Sequence, residues 1–320
     1  MKLKPMIMSA VIAAAVAGAP LQAQETPDFV VSLLGTGAPN PTPDRFGSST
    51  LVQVAGQTLV FDAGRGALQR IKQLGIVPAA IDHIFLTHFH SDHTIGLPEL
   101  WLIPWLPPQG RREVPRTITG PVGTKQLTEG LSLAYADDHR IRIADAGLNP
   151  QGVAWDVTEF SQDGPVYERD GVVVTAFENY HGAALKPSYG YRVDYDGRSV
   201  AISGDTKPYE NVVKHSTGVD LLIHEVAMAD PKIAQRPPIK IIMDHHTNPT
   251  EAAEIFSQAR PEMAAFTHFV FLGMGPGRPD AADVMVEAKA GYDGPMIDGV
   301  DLMQFVIGDT VEVIDTREGN

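Results

Sequence analysis

Cysteine is absent from the 320-residue chain. Disulfides are thereby excluded and thiolate is removed from the available metal ligands, so any zinc must be held by His, Asp or Glu. Basic charge is sparse: 25 Lys and Arg stand against 39 Asp and Glu, a formal net charge of −14. Such a surface repels phosphate polyanions unless bases are concentrated locally. The densest cluster, Arg111, Arg112 and Arg116, is too small to carry a long polyanion, and nucleic acid is not expected as a partner. Long apolar runs are missing too: past the first two dozen residues no segment could span a bilayer. Nor does any repeat, low-complexity tract or Gly/Ser-rich linker divide the chain.

The opening residues read as a targeting signal. Lys2 and Lys4 precede the apolar stretch Met6 to Ala19, and Leu21-Gln22-Ala23 supplies small residues for cleavage. The sequence thus predicts a signal peptide over 1–23, one folded domain over 24–320, and a periplasmic or secreted location with no membrane span after cleavage. An uncleaved anchor is the alternative.

From Phe29 onward strand-like and helix-like spacing alternate. Strands are predicted over 29–34, 50–54, 58–61, 81–87, 117–120, 172–177, 188–194, 199–203, 220–224 and 263–267. The Asp196-Gly197 pair should close a tight hairpin. Helices are predicted over 67–74, 123–135, 209–215, 250–259 and 280–289, with Thr250 as the N-cap of the fourth. The pattern repeats in two similar halves, 29–185 and 186–320, and implies an α+β sandwich with helices on both outer faces of paired sheets. The Pro-rich stretch Leu97 to Pro115 reads as a surface insertion near the site.

Chemistry concentrates in Thr87-His88-Phe89-His90-Ser91-Asp92-His93-Thr94. His88 and His90 are two apart at a strand end, so their rings point the same way. Asp92 and His93 follow where the chain turns into a helix. One zinc cannot use all four and keep an open catalytic position, so the cluster suits two cations. With 11 histidines in 320 residues, chance accounts poorly for three within six. His181, Asp205 and His268 each fall at or just past a predicted strand end, as His88 does, and are the further ligand candidates.

The His-x-His-x-Asp-His cluster, Gly204-Asp205-Thr206, Thr267-His268-Phe269, Leu34-Gly35-Thr36-Gly37 and Phe61-Asp62-Ala63-Gly64 together resemble the metallo-β-lactamase-fold hydrolases. That resemblance implies a four-layer αββα sandwich with the metal site at one edge of the sheets. It also implies that His88, His90 and His181 bind one zinc, that Asp92, His93 and His268 bind a second, and that Asp205 bridges them. Other divalent ions such as Mn²⁺ or Fe²⁺ could substitute. A water between two such cations loses a proton near neutral pH and becomes the nucleophile. Asp62 is a candidate acceptor for a ligand imidazole N–H.

Leu222-Ile223-His224-Glu225-Val226-Ala227 and His246-Thr247-Asn248 resemble motifs of the branch that contains ribonuclease Z. There the matching histidine protonates the leaving oxygen and the glutamate orients it. Asp92, His246 and Glu225 are accordingly the catalytic candidates, with His245 a competitor for the role of His246. The long arm with which ribonuclease Z grips transfer RNA has no counterpart between Tyr191 and Ser203. Exported arylsulfatases and cyclic-nucleotide phosphodiesterases of the branch also lack it. The expectation is therefore an exported binuclear zinc hydrolase acting on a small phosphodiester or aryl sulfate ester, with Trp101 and Trp105 either packing their loop onto the core, the commoner use, or walling the leaving group. Related dimers suggest a homodimer. The rivals are a lactonase or β-lactamase-type carbonyl hydrolase, a ribonuclease Z-like RNA endonuclease, and a non-enzymatic periplasmic zinc-binding module.

Overall fold

The computed structural model describes residues 28–319; the predicted signal peptide lies outside them. The chain first lays down β1 (Phe29–Gly35), β2 (Ser49–Val54), β3 (Gln57–Phe61), β4 (His83–Phe85), β5 (Arg116–Pro121) and β6 (Trp155–Phe160). It then crosses over to β7 (Gly164–Arg169), β8 (Val172–Glu178), β9 (Tyr189–Tyr195), β10 (Arg198–Ile202), β11 (Leu221–Ala229), β12 (Met263–Leu272) and β13 (Met296–Asp298). Two last strands, β14 (Gln304–Ile307) and β15 (Val311–Ile314), return to the first sheet beside β1, with Val30 opposite Val306. The two sheets run β15-β14-β1-β2-β3-β4-β5-β6 and β13-β12-β11-β10-β9-β8-β7.

Period-two side-chain placement explains the layers. Phe29, Val31 and Leu33 of β1, with Phe61 and Phe85, face inward onto Val174, Tyr191, Val193, Ile202 and Ile223 of the other sheet. Phe61 and Phe85 stack at 4.8 Å, with Tyr191 5.4 and 5.5 Å from them; burying each such ring is worth about 1.5–3 kcal/mol. The intervening residues face outward. Leu34, Leu51, Val60 and Ile84 meet the helices Ala67–Gln73 and Leu97–Leu102. Leu222, Ala264 and Phe266 meet the helices Pro249–Ala259 and Ala281–Lys289. The result is the four-layer αββα sandwich.

The changeover between sheets falls between Phe160 and Gly164, ahead of the expected boundary at 185/186. The strands β6, β7, β13, β14 and β15 and the helices Leu97–Leu102, Ala136–Ala146 and Pro237–Met243 are additional to those predicted. β6, β7 and β15 carry many exposed positions, and no residue of the helix Ala136–Ala146 is buried, so an apolar period is weak in each of these four. Asp196 and Gly197 form the two-residue hairpin with φ of 48° and 77°, pairing Arg198 with Tyr195. The helix Pro249–Ala259 is capped by Asn248 rather than Thr250: the Asn248 side chain accepts from the Glu251 N–H at 2.9 Å, and Pro249 occupies N1, where no donor is needed.

The insertion after Leu97 does not reach the site. Trp101 and Trp105 are buried, their indole N–H groups donating to the carbonyls of Val153 and Asn149 at 3.1 and 2.9 Å. Trp101 stacks on Trp155 at 4.7 Å, so the pair pins the insertion to the first sheet. Arg112 and Arg116 are buried there as well, which leaves only Arg111 of that basic cluster at the surface. Among the described residues no helix is long and apolar enough to cross a membrane.

Candidate metal centre and cleft

Four short stretches of backbone end at one edge of the two sheets. After β4 the chain runs through His88 and His90 into the single turn Ser91–Thr94, which carries Asp92 and His93. His181 follows β8 and Asp205 follows β10. Gly204 makes the second turn possible: its φ is 60°, and a Cβ there would lie 2.6 Å from the Tyr189 carbonyl oxygen.

His268 arrives differently from the expected strand end. It lies inside the ten-residue β12, where pairing with β11 slips between Glu225↔Thr267 and Val226↔Phe269. His268 is the unpaired residue of this bulge, with φ at 45°. A bulge re-aims one side chain without ending the strand.

The seven ligand-type side chains converge. His88, His90, His181 and Asp205 each offer one ligand atom within 4.8 Å of the others, and so do Asp92, His93 and His268. One oxygen of Asp205, Oδ2, lies 3.2 Å from His268 Nε2, 3.3 Å from His93 Nε2, 3.6 Å from His181 Nε2 and 3.9 Å from His88 Nε2. Asp92 Oδ2 lies 3.2 Å from His268 Nε2. All of these except His90 are buried.

Hydrogen bonds on the far side of the rings decide which nitrogen faces inward. Asp62 accepts from Thr87 N, Thr87 Oγ1 and His93 Nδ1, each at 2.8 Å. Since the Thr87 hydroxyl spends its proton on Asp62, it accepts from His88 Nδ1 at 2.9 Å. His181 Nδ1 donates to the His245 carbonyl at 2.9 Å. Three imidazoles thus turn Nε2 toward the centre, where a bound cation would displace any proton it carries. The Nε2 atoms of His88 and His93 are buried with no hydrogen-bond partner. Orphaned nitrogens around a carboxylate are costly unless a cation satisfies them; the donor set, nitrogen and oxygen without sulfur, fits zinc.

The charges respond accordingly. Burial alone would raise Asp205, but the imidazoles of His268, His93 and His181 hold it well below the usual carboxylate range. Burial pushes His88 well down and His181 down to about 4. Burial also opposes protonation of His93, yet Asp205 and Asp62 outweigh it and raise that ring well above its ordinary value.

Glu225 and His246 form a second unit beside this cluster. β11 continues past its predicted end at His224, so Glu225 is a buried mid-strand residue. Its Oε1 accepts from Thr206 N and Thr247 N at 3.1 and 3.0 Å, and its Oε2 accepts from His246 Nδ1 at 3.2 Å. A ring nitrogen of His246 lies within 4.8 Å of ligand atoms of Asp205 and His268. Burial disfavours its imidazolium, but Glu225 overcompensates and lifts the pKa to about 9. His245, its competitor, has its ring in the cleft without the glutamate partner.

A cleft of about 260 Å³ opens over the cluster. One wall is the loop Gly37 to Arg45; the other is Phe269 to Leu272, with Ile242 and Arg278. Arg45, Arg278 and this wall were missed in the sequence, where lone arginines and an apolar strand carry no sign of a shared cleft. The preceding Thr87, by contrast, was legible in principle from its place beside His88.

Residues 57–269 match the family described as Beta-lactamase superfamily domain. A protein named Ribonuclease Z from Mycobacterium bovis is 35% identical over 252 residues, covering 78% of this chain and 89% of that protein. A Ribonuclease Z from Mycobacterium avium is 38% identical over 244 residues, covering 75% and 85%. Among solved structures, the short form of human tRNase Z superposes with a TM-score of 0.65 at 24% identity, over 87% of this chain and 99% of that one. The metallo-beta-lactamase fold protein YhfI from Bacillus subtilis gives 0.65 at 20%, with the same coverage. These relatives overturn the argument by which nucleic acid was set aside as a partner. Net charge averages the whole surface and does not describe a cleft whose lining bases are Arg45 and Arg278. A missing arm bears on grip, not on the reacting groups. The chain belongs to the metallo-β-lactamase-fold superfamily of metal-dependent hydrolases, in the branch that includes ribonuclease Z.

Proposed function

We propose that this protein is a binuclear zinc phosphodiesterase whose substrate class is RNA. The observation that carries this reading is the His246–Glu225 pair set against the seven-ligand cluster, in a chain whose relatives are named ribonuclease Z. His88, His90 and His181 would hold one zinc, Asp92, His93 and His268 the other, and Asp205 would lie between. When bound, two such ions supply Lewis-acid charge to a phosphoryl oxygen and acidify a water. The chain's own groups do the rest. Asp62, Thr87 and the His245 carbonyl fix the tautomers of three rings. Glu225 holds His246 by Nδ1, which leaves Nε2 as the nitrogen to give a proton to the departing oxygen in the cleft. The sulfate esters expected from the sequence, and the carbonyl substrates of its rival reading, gain no comparable support from the relatives' names.

The test is a side-by-side rate comparison of zinc-loaded protein on a precursor transfer RNA, a bis-aryl phosphate, an aryl sulfate, a lactone and a β-lactam. Phosphodiesters should be cleaved fastest. Lactone, β-lactam or sulfate turnover faster by orders of magnitude would refute the reading. Export is proposed on residues 1–23 alone; the N-terminal sequence of protein recovered from cell fractions tests it.

A further inference from the structure

All nine residues of the cluster and the His246–Glu225 pair lie within 57–269, whereas the cleft walls, Gly37 to Arg45 and Val270 to Arg278, lie outside that match. Along one wall four side chains form a ladder. The Arg45 guanidinium sits 4.1 Å over the Phe269 ring, Phe269 lies 5.4 Å from Phe271, and the Arg278 guanidinium is 5.9 Å from Phe271. The two ends differ. Arg45 is spoken for: its Nη1 donates to Thr36 Oγ1 at 2.7 Å and to the Gly299 carbonyl at 2.6 Å, and Asp301 is close by. Arg278 is exposed, and among the described residues its side chain has no hydrogen-bond or ion-pair partner. Phe269 is 3% exposed while Phe271 is only half-buried, so Phe271 is the ring a ligand can reach, with the unpaired Arg278 side chain as the group over it that would have to yield.

We propose that Phe271 and Arg278 form an outer subsite for the nucleotide next to the scissile phosphate, Phe271 stacking its base and Arg278 pairing with its further phosphate. This rests on the phosphodiesterase reading, which supplies the inner phosphate position. A sequence-tolerant ring and a forked cation are the usual means of holding single-stranded RNA. In a chain of net charge −14 an arginine at the mouth of the cleft without a carboxylate partner marks where an anion is received.

Calorimetric titration of zinc-loaded protein with adenosine 3′,5′-bisphosphate and adenosine 5′-monophosphate tests the assignment. The wild type should bind the bisphosphate about tenfold more tightly than the monophosphate. Arg278→Ala should abolish that preference, and Arg278→Lys should restore part of it. Phe271→Leu, which keeps an apolar wall, should weaken both ligands by about fivefold or more through lost stacking. Equal affinities in the wild type, or a preference that survives Arg278→Ala, would overturn the subsite; Arg278 would then merely cover the Phe271 ring. If the binding pattern holds but no phosphodiester is cleaved, the function reading fails and the subsite stands. If RNA is cleaved without the pattern, the reverse holds.

Discussion

Asp62 accepts three hydrogen bonds of 2.8 Å that reach two imidazoles, His93 directly and His88 through Thr87, one in each ligand group. Its φ of 60° suits asparagine, so Asp62→Asn keeps the backbone and alters only acceptor capacity. The amide offers one oxygen where the carboxylate offered two: in one orientation its NH₂ opposes both the Thr87 hydroxyl and the His93 N–H, which share Oδ2, and in the other it opposes the Thr87 backbone N–H while the negative charge is lost in either. Losing such a carboxylate partner typically costs 10- to 100-fold in metal affinity, about 1.4–2.7 kcal/mol. Thr87→Val removes the hydroxyl relay without touching the His93 bond. Competition against a chromophoric chelator, with metal analysis of the dialysed protein, should show Asp62→Asn weakening both cations and Thr87→Val only the one that His88 holds. Two variants with indistinguishable profiles, or Asp62→Asn binding as the wild type does while remaining folded, would refute the tautomer argument.

His246→Ala should keep both metals yet slow phosphodiesters with poor leaving groups by about 10²- to 10⁴-fold, and good ones far less; equal slowing across a leaving-group series removes the proton-donor role. His83 is half-buried against Phe85 and Tyr167, and desolvation with nearby Arg116 lowers its pKa to about 4. Above its ordinary value of 6.5 both states are neutral; as pH falls from there to about 4 only the unfolded chain takes up the proton, so stability drops by about 3 kcal/mol. Denaturant melts of the wild type and His83→Gln across this window check it, and an unchanged slope in the variant removes His83 as the cause. Trp101→Ala should cost about 3–5 kcal/mol of stability while leaving KM unchanged, since Trp101 lies in the core and not in the cleft; a raised KM with normal stability would reinstate it as a substrate wall.

Local chemistry was legible wherever a short stretch of chain carries its own geometry. The Asp196-Gly197 hairpin and the His88–His93 run are of this kind, because turn dihedrals and strand-end spacing involve only neighbours. The helix start at Asn248 was misplaced by two residues because Pro249 and the Asn248–Glu251 pair outrank a threonine as capping signals. Edge strands such as β6 and β7 escaped because their pairing partners, not their own burial, make them strands.

The amino-acid sequence alone pointed to the donor types, the paired-sheet architecture and the nine candidate positions, the histidine-rich run by its local spacing and the His246–Glu225 pair only through resemblance to a known family. Only the tertiary structure decided how they meet. The bulge that aims His268, the Asp62–Thr87 relay behind two rings, the burial of both tryptophans and the arginine-ended wall all join residues far apart in the chain. Contacts of that range exist only once distant strands have paired and the sheets, loops and helices have packed, and no local pattern encodes them.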